Sequence, residues 1–223
     1  MRLSPALSLF AVLLAGASAA PAQSSRGSTP LVAHTGSPLA YRIGLPQGWR
    51  IQREDVTASR QAQVQAGRAT NTVRVEIQGE TLSATSGTAY VHLLVSDVVP
   101  VKRSDMPVSW AEQRRIVTST LLGSDSLLLG LLANAIRGRE ADFRDVTREI
   151  RTVGGQRAGY LSALLVQRDL QSRTEIYATV KNGVMYVLIF ADADSEFAAR
   201  ESLFARVRDS LVFAENAQVT PPE

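Results

Sequence analysis

The side chains whose types and spacing could do chemistry are few and scattered. Histidine, the usual acid–base and metal residue, occurs as His34 and His92 only. His34 falls in a stretch rich in Ser, Gly, Thr and Pro, and His92 lies in an apolar run between Tyr90 and Leu94. The second setting is that of a core or sheet-surface histidine. A two-histidine zinc site with a carboxylate would require the first stretch to fold back onto the second. Asp192-Ala193-Asp194-x-Glu196 gathers carboxylates but lacks the glycine and ligand spacing of a calcium loop. Acids at a helix start are explained by the helix dipole. Gly123-Ser124-Asp125-Ser126 is not a Gly-x-Ser-x-Gly elbow, and no histidine stands ready to complete a triad. The arginines from Arg137 to Arg157 suggest an anion site, yet Glu140, Asp142, Asp145 and Glu149 interleave with them, which reads as a solvated, paired face. Cysteine is absent, so disulfides and thiolate metal sites are excluded. No catalytic residue, metal ligand or cofactor-binding residue is predicted.

The first residues carry an address. Arg2 is a short positive region, Leu7 to Ala15 an apolar one too short to span a bilayer, and Gly16 to Ala22 a run of small residues and Pro21. That is the layout of a secretory signal peptide over residues 1–22. Ala17-Ser18-Ala19 and Ala20-Pro21-Ala22 both satisfy the small-x-small rule, so the mature chain starts near Ala20 or Gln23. Leu14-Ala15-Gly16-Ala17 has Ala where a lipoprotein signal has its acylated Cys. A secreted or periplasmic protein without lipid or transmembrane anchor is expected. Removing Arg2 leaves 23 basic residues (24 − 1) against 21 acidic ones. These charges are interspersed, whereas a nucleic-acid footprint is a concentrated patch.

Residues 23–38 read as a flexible tether and 214–223 as a disordered polar tail, leaving one domain at 39–213. In it, Tyr41 to Leu45 alternates with period two, Pro46-Gln47-Gly48 turns the chain, and Trp49 to Ile51 resumes the strand. Val73, Val75 and Ile77 alternate with Arg74 and Glu76. Ala89 to Val99 has the composition of a central strand. Asp105-Met106-Pro107 reads as a helix start with Asp105 as N-cap, the helix ending near Gly123. Phe143, Val146, Ile150 and Val153 fit a helical stripe, but Gly154-Gly155 and the apolar run from Tyr160 to Val166 favour a hairpin, so Val146 to Val153 is assigned as strand. Asn182-Gly183 joins two strands as a type I′ turn. Asp192 or Asp194 caps a last helix whose Phe197, Phe204, Val207 and Leu211 face the core.

Leu127 to Ile136 is the most apolar stretch of the mature chain, a helix capped by Ser124 or Asp125. It is either packed on the sheet or a surface that meets a lipid, a peptide or a partner. Leu128, Leu129 and Leu132 are its interaction candidates.

Tyr41-x-Ile43-x-Leu45-Pro46-x-Gly48-Trp49, the Gly155-Gln156-Arg157-Ala158 turn, and Asn182-Gly183 leading into Tyr186-Val187-Leu188-Ile189-Phe190 resemble PsbP-like domains. So do the Phe197/Phe204 helix and Asp209-Ser210-Leu211-Val212-Phe213. The resemblance covers both ends of the domain and not Arg60 to Arg144. It implies an α+β fold, a curved antiparallel β-sheet flanked by helices in a single domain, and a role in binding or assembly, with no catalytic residue to carry over. The expectation is an exported, non-catalytic binding or assembly module whose partner is a protein or a small apolar ligand of the cell envelope. The alternatives are a small-molecule or lipid carrier with a pocket lined by Leu127 to Ile136, and an enzyme with an unrecognised site.

Overall fold

The computed structural model describes residues 28–36, 40–66, 69–97, 109–125, 142–167 and 170–214. In chain order these form β1 (Leu31–Gly36), β2 (Tyr41–Pro46), β3 (Arg50–Ala66), β4 (Ala69–Ser86), β5 (Ala89–Asp97), α1 (Trp110–Gly123), β6 (Asp142–Val153), β7 (Gln156–Gln167), β8 (Leu170–Lys181), β9 (Val184–Ala193), α2 (Asp194–Asp209) and β10 (Val212–Phe213). A three-stranded sheet has the order β1-β2-β10, and a seven-stranded sheet the order β3-β4-β5-β9-β8-β7-β6. Every pairing is antiparallel. The domain is therefore mostly antiparallel sheet with two described helices.

Two apolar clusters sit on opposite sides of the large sheet, because successive strand residues point to opposite faces. Tyr160, Tyr177, Leu188 and Phe190 face Phe197, Phe204 and Val207 of α2 and the small sheet's Tyr41, Ile43, Leu45 and Phe213. Leu161, Ala163, Ile176, Ala178, Val187 and Ile189 form the other cluster, with Leu94, Phe143 and Met185 against it. After α2, Ser210 ties the helix end to the small sheet. Its hydroxyl accepts from Gly44 N at 2.8 Å and donates to Val207 O at 2.6 Å. Leu211 is buried beyond it, and β10 pairs with β2.

Leu31–Gly36, inside the stretch read as a tether, is a strand, and its six register pairs with β2 run from Leu31↔Pro46 to Gly36↔Tyr41. Backbone pairing suffices for it, since Leu31 packs against the core and most of the rest faces water. His34 is thereby an ordered strand residue opposite Ile43. The described start of α1 differs too. Ser109 Oγ accepts from Glu112 N at 3.2 Å, the geometry of an N-cap, whereas Asp105 to Pro107 lie outside the described residues. The helix ends at Gly123 as read.

Strand β6 explains its own ambiguity. Between Arg144↔Leu164 and Thr147↔Ser162 the strand takes one more residue than its partner, a β-bulge. Asp145 sits there at φ 51. The bulge flips the phase, so Phe143 belongs to one cluster and Val153 to the other despite equal parity. A strand with a phase flip mimics helical spacing.

The turn at Asn182-Gly183 has φ values of 53 and 76, both positive as a type I′ turn demands. Gly183→Val should destabilise the domain by about 1 kcal/mol or more, since a β-branched residue is strained at positive φ. An unchanged urea midpoint would show that the turn bears no such strain.

Candidate functional site

Two arginines from different elements converge on one phenol. Arg151 of β6 donates through Nη1 to Tyr177 Oη at 3.3 Å, and Arg208 of α2 donates through Nη1 to the same oxygen at 3.4 Å. Tyr177 in turn donates to Glu175 Oε2 at 3.1 Å, and Tyr160 donates to Glu175 Oε1 at 2.7 Å. The Arg151 guanidinium lies 3.5 Å above the Tyr160 ring, a cation–π contact. Burial pushes both phenols up, with the Glu175 carboxylate adding to the shift. Both stay protonated and act as donors. Glu149 and Asp209 neutralise the outer sides of the arginines, Arg151 Nε–Glu149 at 2.7 Å and Arg208 Nε–Asp209 at 2.8 Å. Arg151, Glu175, Tyr177 and Arg208 line an open cleft together with Phe190, Glu201, Phe204 and Ala205. The network's chemistry is mutual satisfaction: it clamps α2 and β6 onto β7 and β8, and its charges are consumed internally.

The sequence-predicted residues separate. His34 is in the small sheet and His92 in the large one. His92 is buried and stacked on Tyr90 with ring centroids 5.6 Å apart. Burial pushes its imidazole down to about 4, so it is neutral near pH 7. Among the described residues no group of three His, Cys, Asp or Glu is placed to hold a metal. Asp192 and Asp194 do not cap α2 with their side chains. The N-cap is Ala193, Asp194 sits in the first turn and pairs with Arg173 at 2.8 Å, and Asp192 is fully buried against Arg200. Alternation continues from Tyr186, Leu188 and Phe190 to residue 192, which carries Asp192 inward. Arg144 pairs with Asp142 at 2.8 Å, so the paired-face reading holds there. Arg157 instead reaches α1, donating to Leu122 O at 2.7 Å and pairing with Asp125. Leu128, Leu129 and Leu132, and residues 1–22, read above as a signal peptide, lie outside the described residues.

A second cluster was not legible in the sequence. Glu80 of β4 is buried, with Arg53 of β3 at 3.8 Å. Its Oε1 and the Tyr41 ring lie beneath Gly36, and neither Oε1 nor Tyr41 Oη makes a well-formed hydrogen bond. Burial raises the Glu80 carboxyl above its usual range, Arg53 and Tyr41 opposing and Asp55 adding. A carboxyl raised in the folded state stabilises fully below its unfolded pKa, and that contribution is lost as pH rises through the folded value. Glu80→Gln should therefore match wild type near pH 4 and exceed it increasingly as pH rises toward 8. Urea midpoints that fall with Gln at pH 8 would mean that the ionised, Arg53-paired form is the stabilising one.

The third feature is a ribbon. The β3–β4 ladder runs from Arg50↔Thr85 to Ala66↔Ala69, whereas the β4–β5 ladder ends at Gly79↔Ser96. A Cβ at Gly79 would run into Val95 O and meet Ser96 Cα at 3.1 Å. The two backbones approach too closely there for any side chain. Beyond that point the hairpin continues for ten register pairs, Thr57↔Gln78 to Ala66↔Ala69. At roughly 3.4 Å per residue that is about 30 Å of two-stranded ribbon. Among the described residues no third strand pairs with it. By register, Ala58, Ala62, Val64, Val73, Val75 and Ile77 fall in one row, together with Arg60 and Asn71. The opposite row is Thr, Ser, Gln, Arg and Glu. Val73, Val75 and Ile77 are legible as a strand; the long partner, rich in Gln and Ala, is not.

No family model matches this chain, and no curated protein matches it. Among solved structures it is similar to the cyanobacterial PsbP of Synechocystis sp. PCC 6803, at 15% identity over 87% of this chain and 98% of that one, with a TM-score of 0.44. It is also similar to a Pseudomonas aeruginosa protein of unknown function described as a putative regulator, at 8% identity over 84% and 99% of the two chains, with a TM-score of 0.34.

Proposed function

We propose that this protein is an exported binding or assembly module without catalytic chemistry of its own, and that the β3–β4 ribbon is its contact element. The ribbon is the supporting observation. A two-stranded hairpin is marginal in water unless a further strand or another body covers it, and this one continues for ten register pairs past its last neighbour. The Arg151–Tyr177–Arg208 network supports the same reading, since its groups are engaged with one another and hold the scaffold together.

The test removes the ribbon and keeps the sheet. Ala58 and Ile77 are register partners, so replacing residues 59–76 with Asn-Gly closes the hairpin by a two-residue turn. The shortened protein is expected to melt as wild type does, to be cleaved between Ala19 and Gln23, and to lose its association with the envelope fraction of its own cells. Co-fractionation equal to wild type would overturn the assignment of the ribbon as contact element.

A further inference from the structure

We infer that the free edge of β6 is where a second copy of this chain pairs, antiparallel, about a two-fold axis between Val146 and Thr147. This stands apart from the ribbon, which belongs to the other end of the seven-stranded order. β6 is the last strand of that order, and among the described residues no strand pairs with its outer side. It runs for 12 residues, about twice the common strand length. Arg144 to Glu149 are all exposed. A long open edge is a template for another strand unless its side chains forbid the pairing.

Charge decides the occupant. About that axis Asp142 stands opposite Arg151 of the second copy, Phe143 opposite Ile150, and Arg144 opposite Glu149. Acid meets arginine and apolar meets apolar, and the two-fold repeats each pair. Opposed residues must also share a face of the joined sheet. Arg144 and Glu149 are separated by an odd step, which in a regular strand sets them on opposite faces. The β-bulge between Arg144 and Thr147 removes that obstacle. Arg144 lies against Leu164 and Glu149 against Tyr160, two β7 residues of one face, and Asp142 and Arg151 lie against Val166 and Ala158 of that same face. Phe143 and Ile150, against Leu165 and Gly159, share the other. Within one strand Arg144 Nε already meets Asp142 at 2.8 Å and Arg151 Nε meets Glu149 at 2.7 Å. Pairing sets these couples side by side with signs alternating along and across the strands. Unlike charges directly opposite are stabilising and like charges destabilising. A one-residue slip would put partners on opposite faces. A slip of two residues brings Arg144 opposite Arg151 in one direction and Asp142 opposite Glu149 in the other. The charges on this edge therefore select its own copy in one register, whereas an edge blunted by charge repels its copy in every register.

The experiment is sedimentation equilibrium of the mature protein, joined to disulfide cross-linking. A monomer–dimer equilibrium is expected, weakening as salt rises. Arg144→Glu sets a carboxylate opposite Glu149 at both symmetry-related positions and should weaken the dimer about tenfold or more. The Arg144–Asp142 pair it also breaks is exposed, so the urea midpoint should hold. Register is read by cross-linking, since the chain has no Cys of its own. Arg144→Cys and Glu149→Cys proteins, made separately and mixed under oxidant, should give a disulfide-linked dimer. Arg144→Cys alone should not, because its two copies would lie more than about 10 Å apart along the strands, beyond the reach of a disulfide. A monomer at every concentration overturns the inference and leaves the edge to a strand of another protein. A dimer that Arg144→Glu does not weaken, or one in which Arg144→Cys links to itself as readily as to Glu149→Cys, places the contact elsewhere and overturns it too. Should Arg144→Glu fail to fold, the cross-linking decides by itself.

Discussion

Phe204→Ala should cost the domain about 4 kcal/mol, in the range measured for deleting a large buried aromatic. Phe204 is 2% exposed and lies between Phe190 of β9, with ring centroids 5.1 Å apart, and Phe197 one helical stretch earlier, at 5.3 Å. It joins α2 to the large sheet at the centre of the main cluster. Deletion leaves a cavity under α2 rather than a collapsed site, because the helix is also held at both ends. Asp194 pairs with Arg173 at its start and Ser210 bonds Gly44 at its finish. The lost energy therefore combines transfer and cavity. Phe204→Leu keeps most of the volume and should cost about 1.5 kcal/mol or less. Urea melts of the three proteins at one pH are the measurement. A Phe204→Ala loss below about 1 kcal/mol would mean that α2 does not depend on this ring, and that the helix stripe has been assigned to the wrong face.

That ring was legible from spacing alone. Phe197, Phe204, Val207 and Leu211 recur at helical intervals after a strand that ends in acids, and all four are buried. The Asn182-Gly183 turn was equally readable because only a few residues accept positive φ at both positions. Strand β6 was half readable: a bulge of one residue moved Phe143 and Val153 to opposite sides of the sheet, and a phase flip cannot be distinguished from helical spacing without the partner strand. Strand β1 was missed because an edge strand held by backbone bonds needs little apolar side chain, and its composition then matches a linker. The ribbon was missed in part for a related reason. Gln and Ala favour neither strand nor loop strongly, so only the register with Val73 to Ile77 reveals the pattern. The arginine–tyrosine network draws residues from β6, β7, β8 and α2, and long-range convergence leaves no local spacing to read. Leu128, Leu129 and Leu132, singled out by composition, lie beyond the described residues.

Asp192 carries the other large effect. Its residue is 0% exposed, and both carboxylate oxygens are engaged. Oδ1 accepts from Thr88 Oγ1 at 2.6 Å and from Ala193 N at 2.8 Å, and Oδ2 pairs with Arg200. Its own carbonyl accepts from Ser172 Oγ at 2.8 Å. One side chain therefore joins the β4–β5 turn, the end of β9 and the body of α2. Asp192→Ala removes the acceptor of three donors at once and leaves a guanidinium beside a void. Breaking one partner of a buried pair costs about 3 to 5 kcal/mol. The Arg200 side chain is 24% exposed, so it can turn toward water and recover part of that, which places the expected loss at about 3 kcal/mol. Asp192→Asn preserves the shape and an acceptor for Thr88 and Ala193 while surrendering the charge, and should lose about half as much. The contrast between the two variants separates the hydrogen-bonding share from the ionic share. If Asn proved as damaging as Ala, the pairing with Arg200 would be the sole contribution. If neither moved the urea midpoint, Asp192 would have to lie on the surface, as acids before a helix usually do, and the phase of β9 would be reversed.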